Sequence, residues 1–290
     1  MAPAGFVTRF APSPTGLLHL GHAYSALTAW DAAASADGVC LLRIEDADTA
    51  RVRAEYEAAI YEDLRWLGLT WPEPVMRQSE RHTAYAEALA HLGRLGVTYP
   101  CRCTRADIRC AIAAPQEGAD SSPAASAVYP GTCRTRAMSE AGPTEAIRLN
   151  LDHALRLAEG QRLRWTETGP AHAGSRMLDP AALREGVGDV VLARKDIGTA
   201  AYHLAVVVDD AAQGVTHIVR GEDLLEATPI HRLLQALLEL PVPVWHHHAL
   251  VRDEDGKRLA KRDDPRAIRT YRQAGLTPTD IRHLSEDSMR

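Results

Sequence analysis

Aromatic residues are scarce. Two Phe, five Trp and eight Tyr make up 5% of 290 residues. The hydrophobic fraction of 46% must therefore pack mainly through Ala, Leu and Val. Basic charge is not in excess either: the formal net charge is −5. No global attraction for a polyanion follows, although a local basic face can act alone. No apolar run approaches the roughly 20 residues of a membrane span. The opening Met1-Ala-Pro-Ala-Gly-Phe6 lacks the basic-then-apolar order of a signal peptide. The five cysteines cannot all pair, and Cys101, Cys103 and Cys110 sit close together. That pattern is nearer to metal chemistry in a reducing compartment than to a disulfide framework. A cytoplasmic protein of one large or two modest domains is expected.

What is present begins with Arg9-Phe-Ala-Pro-Ser-Pro-Thr-Gly-Leu-Leu-His-Leu-Gly-His22. A short apolar strand, Phe6 to Phe10, leads into it. Pro12 and Pro14 bar a helix across the turn, and Gly16 permits a close bend. Past His22, Ala23, Ala26, Leu27 and Trp30 fall at helical spacing. His19 and His22 thus lie at a helix start, where free N–H groups and a partial positive charge suit a phosphate.

Val39 to Ile44 reads as a second strand, ending in Arg43-Ile-Glu-Asp46. Strand, helix, strand predicts a right-handed parallel unit with ligands at the carboxyl ends of its strands. Arg9 is then expected near Glu45 and Asp46, either paired with them or sharing a zwitterionic ligand. Asp48 and Thr49 resemble the start of a helix closing at Gly68, and Ser79 can cap another closing at Gly96. Strands are predicted over Ala146 to Asn150, Leu163 to Thr168, Asp189 to Ala193, Leu204 to Val208 and Thr216 to Arg220. Lys195-Asp-Ile-Gly198 reads as a turn. Asp209 and Asp210 are expected at the ligand-bearing end of the Val-rich strand. A helix from Thr228 to Leu240 follows.

Cys101 and Cys103, with Tyr129-Pro-Gly-Thr-Cys133 further on, have the chemistry of a zinc site. Three thiolates are available, with Tyr129 or Cys110 as the fourth ligand. Between them, Ala111 to Val128 is an Ala-, Ser- and Pro-rich insertion. Trp245-His-His-His248 makes a poor metal site, because neighbours on a strand point to opposite faces. Lys257-Arg-Leu-Ala-Lys-Arg262 follows an acidic Gly turn and suits a mobile phosphate clamp.

In order and spacing these stretches resemble the class I aminoacyl-tRNA synthetases of the glutamate-specific subgroup. Arg9 to Gly16 with His19-Leu-Gly-His22 is similar to the HIGH signature, and Arg258-Leu-Ala-Lys-Arg262 to the KMSKS loop. Arg43 to Asp46 and His217 to Asp223 lie between them in the family's order. Only Asp263 to Arg290 follow the loop, where full glutamyl-tRNA synthetases carry a helical anticodon-binding region. That brevity and the Cys-x-Cys insertion resemble the glutamyl-queuosine tRNA(Asp) synthetases.

The resemblance implies an α/β, Rossmann-like nucleotide-binding fold with an inserted zinc-containing subdomain. Residues 1–98 and 188–250 would be the two halves of the catalytic domain, 99–187 the acceptor-type insertion, and 251–290 the KMSKS-like loop and tail. It further implies activation of L-glutamate with ATP and Mg²⁺, without tRNA, then transfer to the queuosine base of tRNA(Asp). Arg9, Phe10, Ala11, Pro12, Ser13, Glu45, Tyr202 and Arg220 would bind glutamate. His19, Gly21, His22 and Lys261 would bind ATP, with His19, His22 and Lys261 catalytic. Cys101, Cys103, Tyr129 and Cys133 would bind Zn²⁺. A monomer without membrane contact is expected. Arg258 and Ala260 depart from the usual Lys and Ser. Two other readings stay open: a free-standing glutamyl-tRNA synthetase fragment charging a 3′ end, and a non-catalytic tRNA-binding paralogue.

Overall fold

The computed structural model describes residues 5–104, 106–108, 128–194, 200–251 and 267–288. The predicted turn at 195–198, Cys110, nearly all of the insertion at 111–128, and Arg258, Ala260 and Lys261 lie outside the described residues.

The first unit is strand β1 (Val7–Phe10), helix α1 (Leu20–Ser35) and strand β2 (Val39–Ile44). β1 and β2 run parallel, and short β3 (Met76–Arg77) extends them in the order β1-β2-β3. The strands can lie so close under α1 because its inner face is small: Ala23, Ala26, Ala29 and Ala33 are buried. The chain re-enters the sheet at Gly38, where a Cβ would stand 2.2 Å from the Phe6 carbonyl oxygen. Helix α2 (Ala54–Trp66) adds Ile60 and Leu64 to this core.

A second sheet has the order β7-β6-β10-β9, from β6 (Arg164–Glu167), β7 (Gly174–Met177), β9 (His217–Gly221) and β10 (Val244–His248). β9, β10 and β6 are mutually parallel. β9 runs beside β1: the Thr216 amide donates to the Val7 carbonyl at 2.9 Å, and the Val7 amide to Thr216 Oγ1 at 2.9 Å. The two sheets thus meet as a doubly wound arrangement, with the change of direction between β1 and β9. In such folds the crevice outside the strand ends at that point is the natural ligand position.

A third sheet, β4-β5-β8, is antiparallel and comprises β4 (Thr98–Cys101), β5 (Ala146–Leu149) and β8 (Val191–Ala193); helix α4 (Leu151–Leu157) follows β5 and helix α5 (Pro180–Gly186) precedes β8. Hydrogen bonding crosses the residue boundaries expected from sequence. β8 pairs with β5, and β6 pairs with β10.

Three local expectations are corrected. Leu204 to Val208 is not a strand but part of helix α6 (Tyr202–Ala212). Leu204, Ala205, Val206 and Val207 are all buried, and a helix buried on every side shows the same continuous apolar run as a buried strand. Ser79 caps no helix: it donates to Asp46, and helix α3 (His82–Arg94) begins after a single 3₁₀ turn. Asp48 does not start α2, which begins at Ala54; it pairs instead with Arg51 and Arg194.

The larger core lies between α3, α6, helix α7 (Thr228–Leu237) and the second sheet, with Trp165 and Trp245 edge to face at 6.4 Å. The tail folds back as helices α8 (Ile268–Gln273) and α9 (Pro278–Asp287), whose Ile268 and Ile281 enter the first core. Among the described residues no helix is long and apolar enough to cross a membrane.

Asp63 of α2 is 1% exposed, and neither carboxyl oxygen has a hydrogen-bond partner; Arg272 approaches only to 3.8 Å. Burial pushes its carboxyl up to about 6, with Arg272 opposing. Because the folded value exceeds the unfolded one, the chain loses stability as pH rises from about 4 through 6. Asp63→Asn should therefore stabilise the protein at pH 8 relative to pH 4 by on the order of 3 kcal/mol. Denaturant unfolding at both pH values measures this, and a pH-independent difference would contradict it.

Candidate active site

The ends of β1 and β9 open into a cleft of about 640 Å³, within the usual range for small-molecule sites. Arg9, Phe10, Ala11, Pro12, Ser13, Glu45, Tyr202 and Arg220 all line it, as do His19, Gly21 and His22. β1 and the turn after it carry Arg9 to Ser13, the turn after β2 carries Glu45, the start of α6 carries Tyr202, and β9 carries Arg220.

Arg9 does not pair with Glu45 or Asp46. Its Nε donates to Asp210 Oδ1 at 2.9 Å, and Arg43 Nη1 reaches the same oxygen at 2.7 Å. Asp210 therefore lies not at a strand end but in the middle of the polar layer, carried there by α6. Burial alone would raise its carboxyl, but Arg9 and Arg43 hold it below the ordinary range. Glu45 meets Arg43 Nη2 at 3.4 Å. Burial pushes Glu45 up, partly opposed by Arg43 and Arg9. Asp46 accepts from Ser79 and Arg77, and so has a scaffolding role beside the cleft.

Arg220 sits in a different environment. Its Nε donates to His247 Nε2 at 3.0 Å, and Nη1 meets Tyr202 Oη and His231 Nδ1, each at 3.3 Å. Nη2 donates to the Leu224 carbonyl at 3.0 Å and Thr228 Oγ1 at 2.8 Å. Among the described residues no carboxylate pairs with this guanidinium. Burial pushes Arg220 below its ordinary value. His231 passes the network on to His203 at 3.1 Å, and His247 Nδ1 meets Glu167 Oε2 at 2.6 Å.

His19 and His22 form the N-terminus of α1. His19 Nδ1 accepts from the Gly21 amide at 3.1 Å, and His22 Nδ1 accepts from the His19 amide at 3.2 Å. A reciprocal capping box results, with imidazoles in the usual places of hydroxyl and carboxylate. An Nδ1 that accepts leaves the proton of a neutral ring on Nε2. The rings lie 3.8 Å apart.

Outside the cleft, Cys101, Cys103 and Cys133 bring their sulfurs within 4.8 Å of one another. Among the described residues this is the one group of three or more potential metal ligands. Cys103 and Cys133 are 3.6 Å apart, and Tyr129 Oη is 3.4 Å from Cys101 Sγ and 3.5 Å from Cys103 Sγ. A tetrahedron with zinc–sulfur bonds of about 2.3 Å has S···S edges of roughly 3.8 Å, so the donor set fits that ion. Burial would raise the Cys133 thiol. Hydrogen bonds from the Arg102 amide, Tyr129, Cys103 and Cys101 instead bring it down to about 7.

The three consecutive histidines behave as strand geometry requires. His246 contacts Thr168, His247 contacts Glu167 and Arg220, and His248 contacts Ser25, with no shared point. His247 nevertheless belongs to the site, at one remove. Glu167 and His231 are participants that the motifs did not point to, while Asp210 takes part from α6 and not from the strand end expected of it. For Glu167 a signal existed: it shares the buried phase of β6 with Trp165, and a carboxylate there needs partners.

Residues 6–284 match the family model described as tRNA synthetases class I (E and Q), catalytic domain. The chain is 54% identical over 281 residues to the Glutamyl-Q tRNA(Asp) synthetase of Rhodobacter capsulatus, covering 96% of this chain and 99% of that protein. It is 42% identical to the protein of the same name from Nocardia farcinica, covering 98% and 85%. Among solved structures, a glutamate tRNA ligase from Elizabethkingia meningosepticum in complex with its amino acid is similar, with TM-score 0.70 and 27% identity. The match covers 90% of this chain but 52% of that one, so the chain spans about half the length of that solved relative. The chain belongs to the class I (E and Q) tRNA synthetases and, within them, to the glutamyl-Q tRNA(Asp) synthetase family of ligases.

Proposed function

We propose that the protein activates L-glutamate with ATP, without tRNA, and transfers it to the queuosine base of tRNA(Asp). One observation carries this reading. A single cleft is lined at once by two buried guanidiniums, a carboxylate and an imidazole-capped helix start. Glutamate brings two carboxylates and one ammonium. Arg9 and Arg220 suit the carboxylates, and Glu45 suits the ammonium, whose approach would lower the raised carboxyl. Glutamine would leave one guanidinium facing an amide, a poorly compensated arrangement in a buried site.

An α-carboxylate oxygen attacks the α-phosphorus of ATP. The bond to the pyrophosphate oxygen breaks, and pyrophosphate leaves with the electron pair. The Nε2–H groups of His19 and His22, with the amides of the α1 start, stabilise the transferring phosphate. Mg²⁺ and Lys261 would serve the pyrophosphate side. A queuosine hydroxyl then attacks the acyl carbon, and AMP departs. Residues 99–187 would act as the inserted subdomain in this scheme. Cys101, Cys103 and Cys133 with Tyr129 would hold Zn²⁺ as a cross-link between β4 and the segment around 129–133.

Glutamate, but not glutamine or aspartate, should support exchange of pyrophosphate into ATP without tRNA. Arg220→Ala should lower kcat/KM by about a hundredfold, and His22→Ala should lower kcat by a similar factor. Transfer should require queuosine: equal transfer to tRNA(Asp) lacking that base would reject the second step.

Elemental analysis of the purified protein should find one zinc per chain, lost in Cys133→Ser together with a lower melting temperature. Metal-free wild-type protein of unchanged stability would reject the zinc assignment.

A further inference from the structure

Arg220 donates through Nε to His247 Nε2, and a guanidinium can only donate. His247 Nε2 must therefore be unprotonated, which places the ring proton on Nδ1, facing Glu167 Oε2 at 2.6 Å. On the other side, His231 Nδ1 accepts from Arg220, so its proton is on Nε2, directed at His203 Nδ1. Both imidazoles are thus neutral, with tautomers set by what lies behind them. Glu167 and His247 have fully buried side chains, so nothing but the protein sets this pattern.

We propose that Glu167 and His247, with the His203–His231 pair opposite, are positioning residues that orient Arg220 without neutralising it, keeping its full charge for a substrate carboxylate. The contrast is Arg9, whose charge is already shared with Asp210 at 2.9 Å. This deepens the glutamate-binding reading of the cleft and rests on it. Burial and the Arg220 charge agree with the assignment, since together they hold His247 at about 4 against the pull of Glu167.

Glu167→Gln tests it sharply. Glu167 Oε1 accepts from the amides of Gly169 at 2.8 Å and His247 at 2.9 Å. These two donors fix the amide oxygen of a glutamine at that place, so its NH₂ faces His247 Nδ1. The imidazole must then switch its proton to Nε2, setting donor against donor at Arg220. Gln at position 247 brings an amide oxygen to the Nε2 position whatever residue 167 is.

Histidine side-chain NMR of the full chain at neutral pH should show His247 as the Nδ1–H tautomer in wild type and Nε2–H in Glu167→Gln. In tRNA-free pyrophosphate exchange, Glu167→Gln should raise KM for glutamate about tenfold to a hundredfold, with kcat changed far less. Glu167→Gln/His247→Gln should recover KM to within about threefold of wild type, a margin below one lost hydrogen bond. An Nε2–H tautomer in wild type would overturn the proposal. So would an unchanged KM in Glu167→Gln, or a double variant as impaired as the single. Wild-type protein with no glutamate-dependent exchange would instead reject the function, while the tautomer measurement still decides the histidine assignment.

Discussion

The site depends on one buried carboxylate. Asp210 lies between Arg9 at the end of β1 and Arg43 at the end of β2, with both nitrogens on the same oxygen. Without it, two guanidiniums would stand side by side in a desolvated layer. Removing one member of such a buried set is costly, because it strands the remaining charge. Asp210 is on α6, so the same contact fixes that helix against the first sheet and sets where Tyr202, at its start, meets the cleft. Its neighbour Asp209 does the same work in the other direction, accepting from Gln78, Arg81 and Tyr85. Adjacent residues on one helix thus bind the first half of the fold at two points.

The arrangement also determines the electrostatic balance of the cleft. Arg9, Arg43 and Arg220 are buried, and Asp210 and Glu45 oppose them. Of these three guanidiniums one has no carboxylate partner among the described residues, and the contacts say which. Asp210 and Glu45 serve Arg9 and Arg43, whereas Arg220 has neutral acceptors.

Much of the candidate site was legible in the sequence because its side chains sit at element ends. Arg9, His19, His22, Glu45 and Arg220 each mark a strand end or helix start, where Pro, Gly and broken periodicity are visible. What failed was the stretch 202–212. Its Val-rich run is the signature of a buried strand, and burial on all sides erases the helical period that would have corrected it. That one error moved Asp209 and Asp210 to the wrong edge. The support of Arg220 was hidden for another reason. Glu167, His231 and His247 come from β6, α7 and β10, and long-range packing alone brings them together. The Asp48 and Ser79 expectations failed more simply, since a residue able to cap a helix was already taken by an arginine or a carboxylate.

Histidine carries two opposite roles here, and one local rule decides between them. At the α1 start, Nδ1 of His19 and His22 is taken by backbone amides, which leaves Nε2 as a donor suited to phosphate oxygens. Behind Arg220, Nδ1 of His247 is taken by a carboxylate, which leaves Nε2 as an acceptor suited to a guanidinium. The same ring thus presents a proton to the cleft at the α1 start and a lone pair to Arg220 behind it. Neither role needs the imidazole to be charged, and charge would spoil the second outright, since imidazolium cannot accept from arginine. The polarity of each end is fixed by the group on the far nitrogen, one step removed from any substrate.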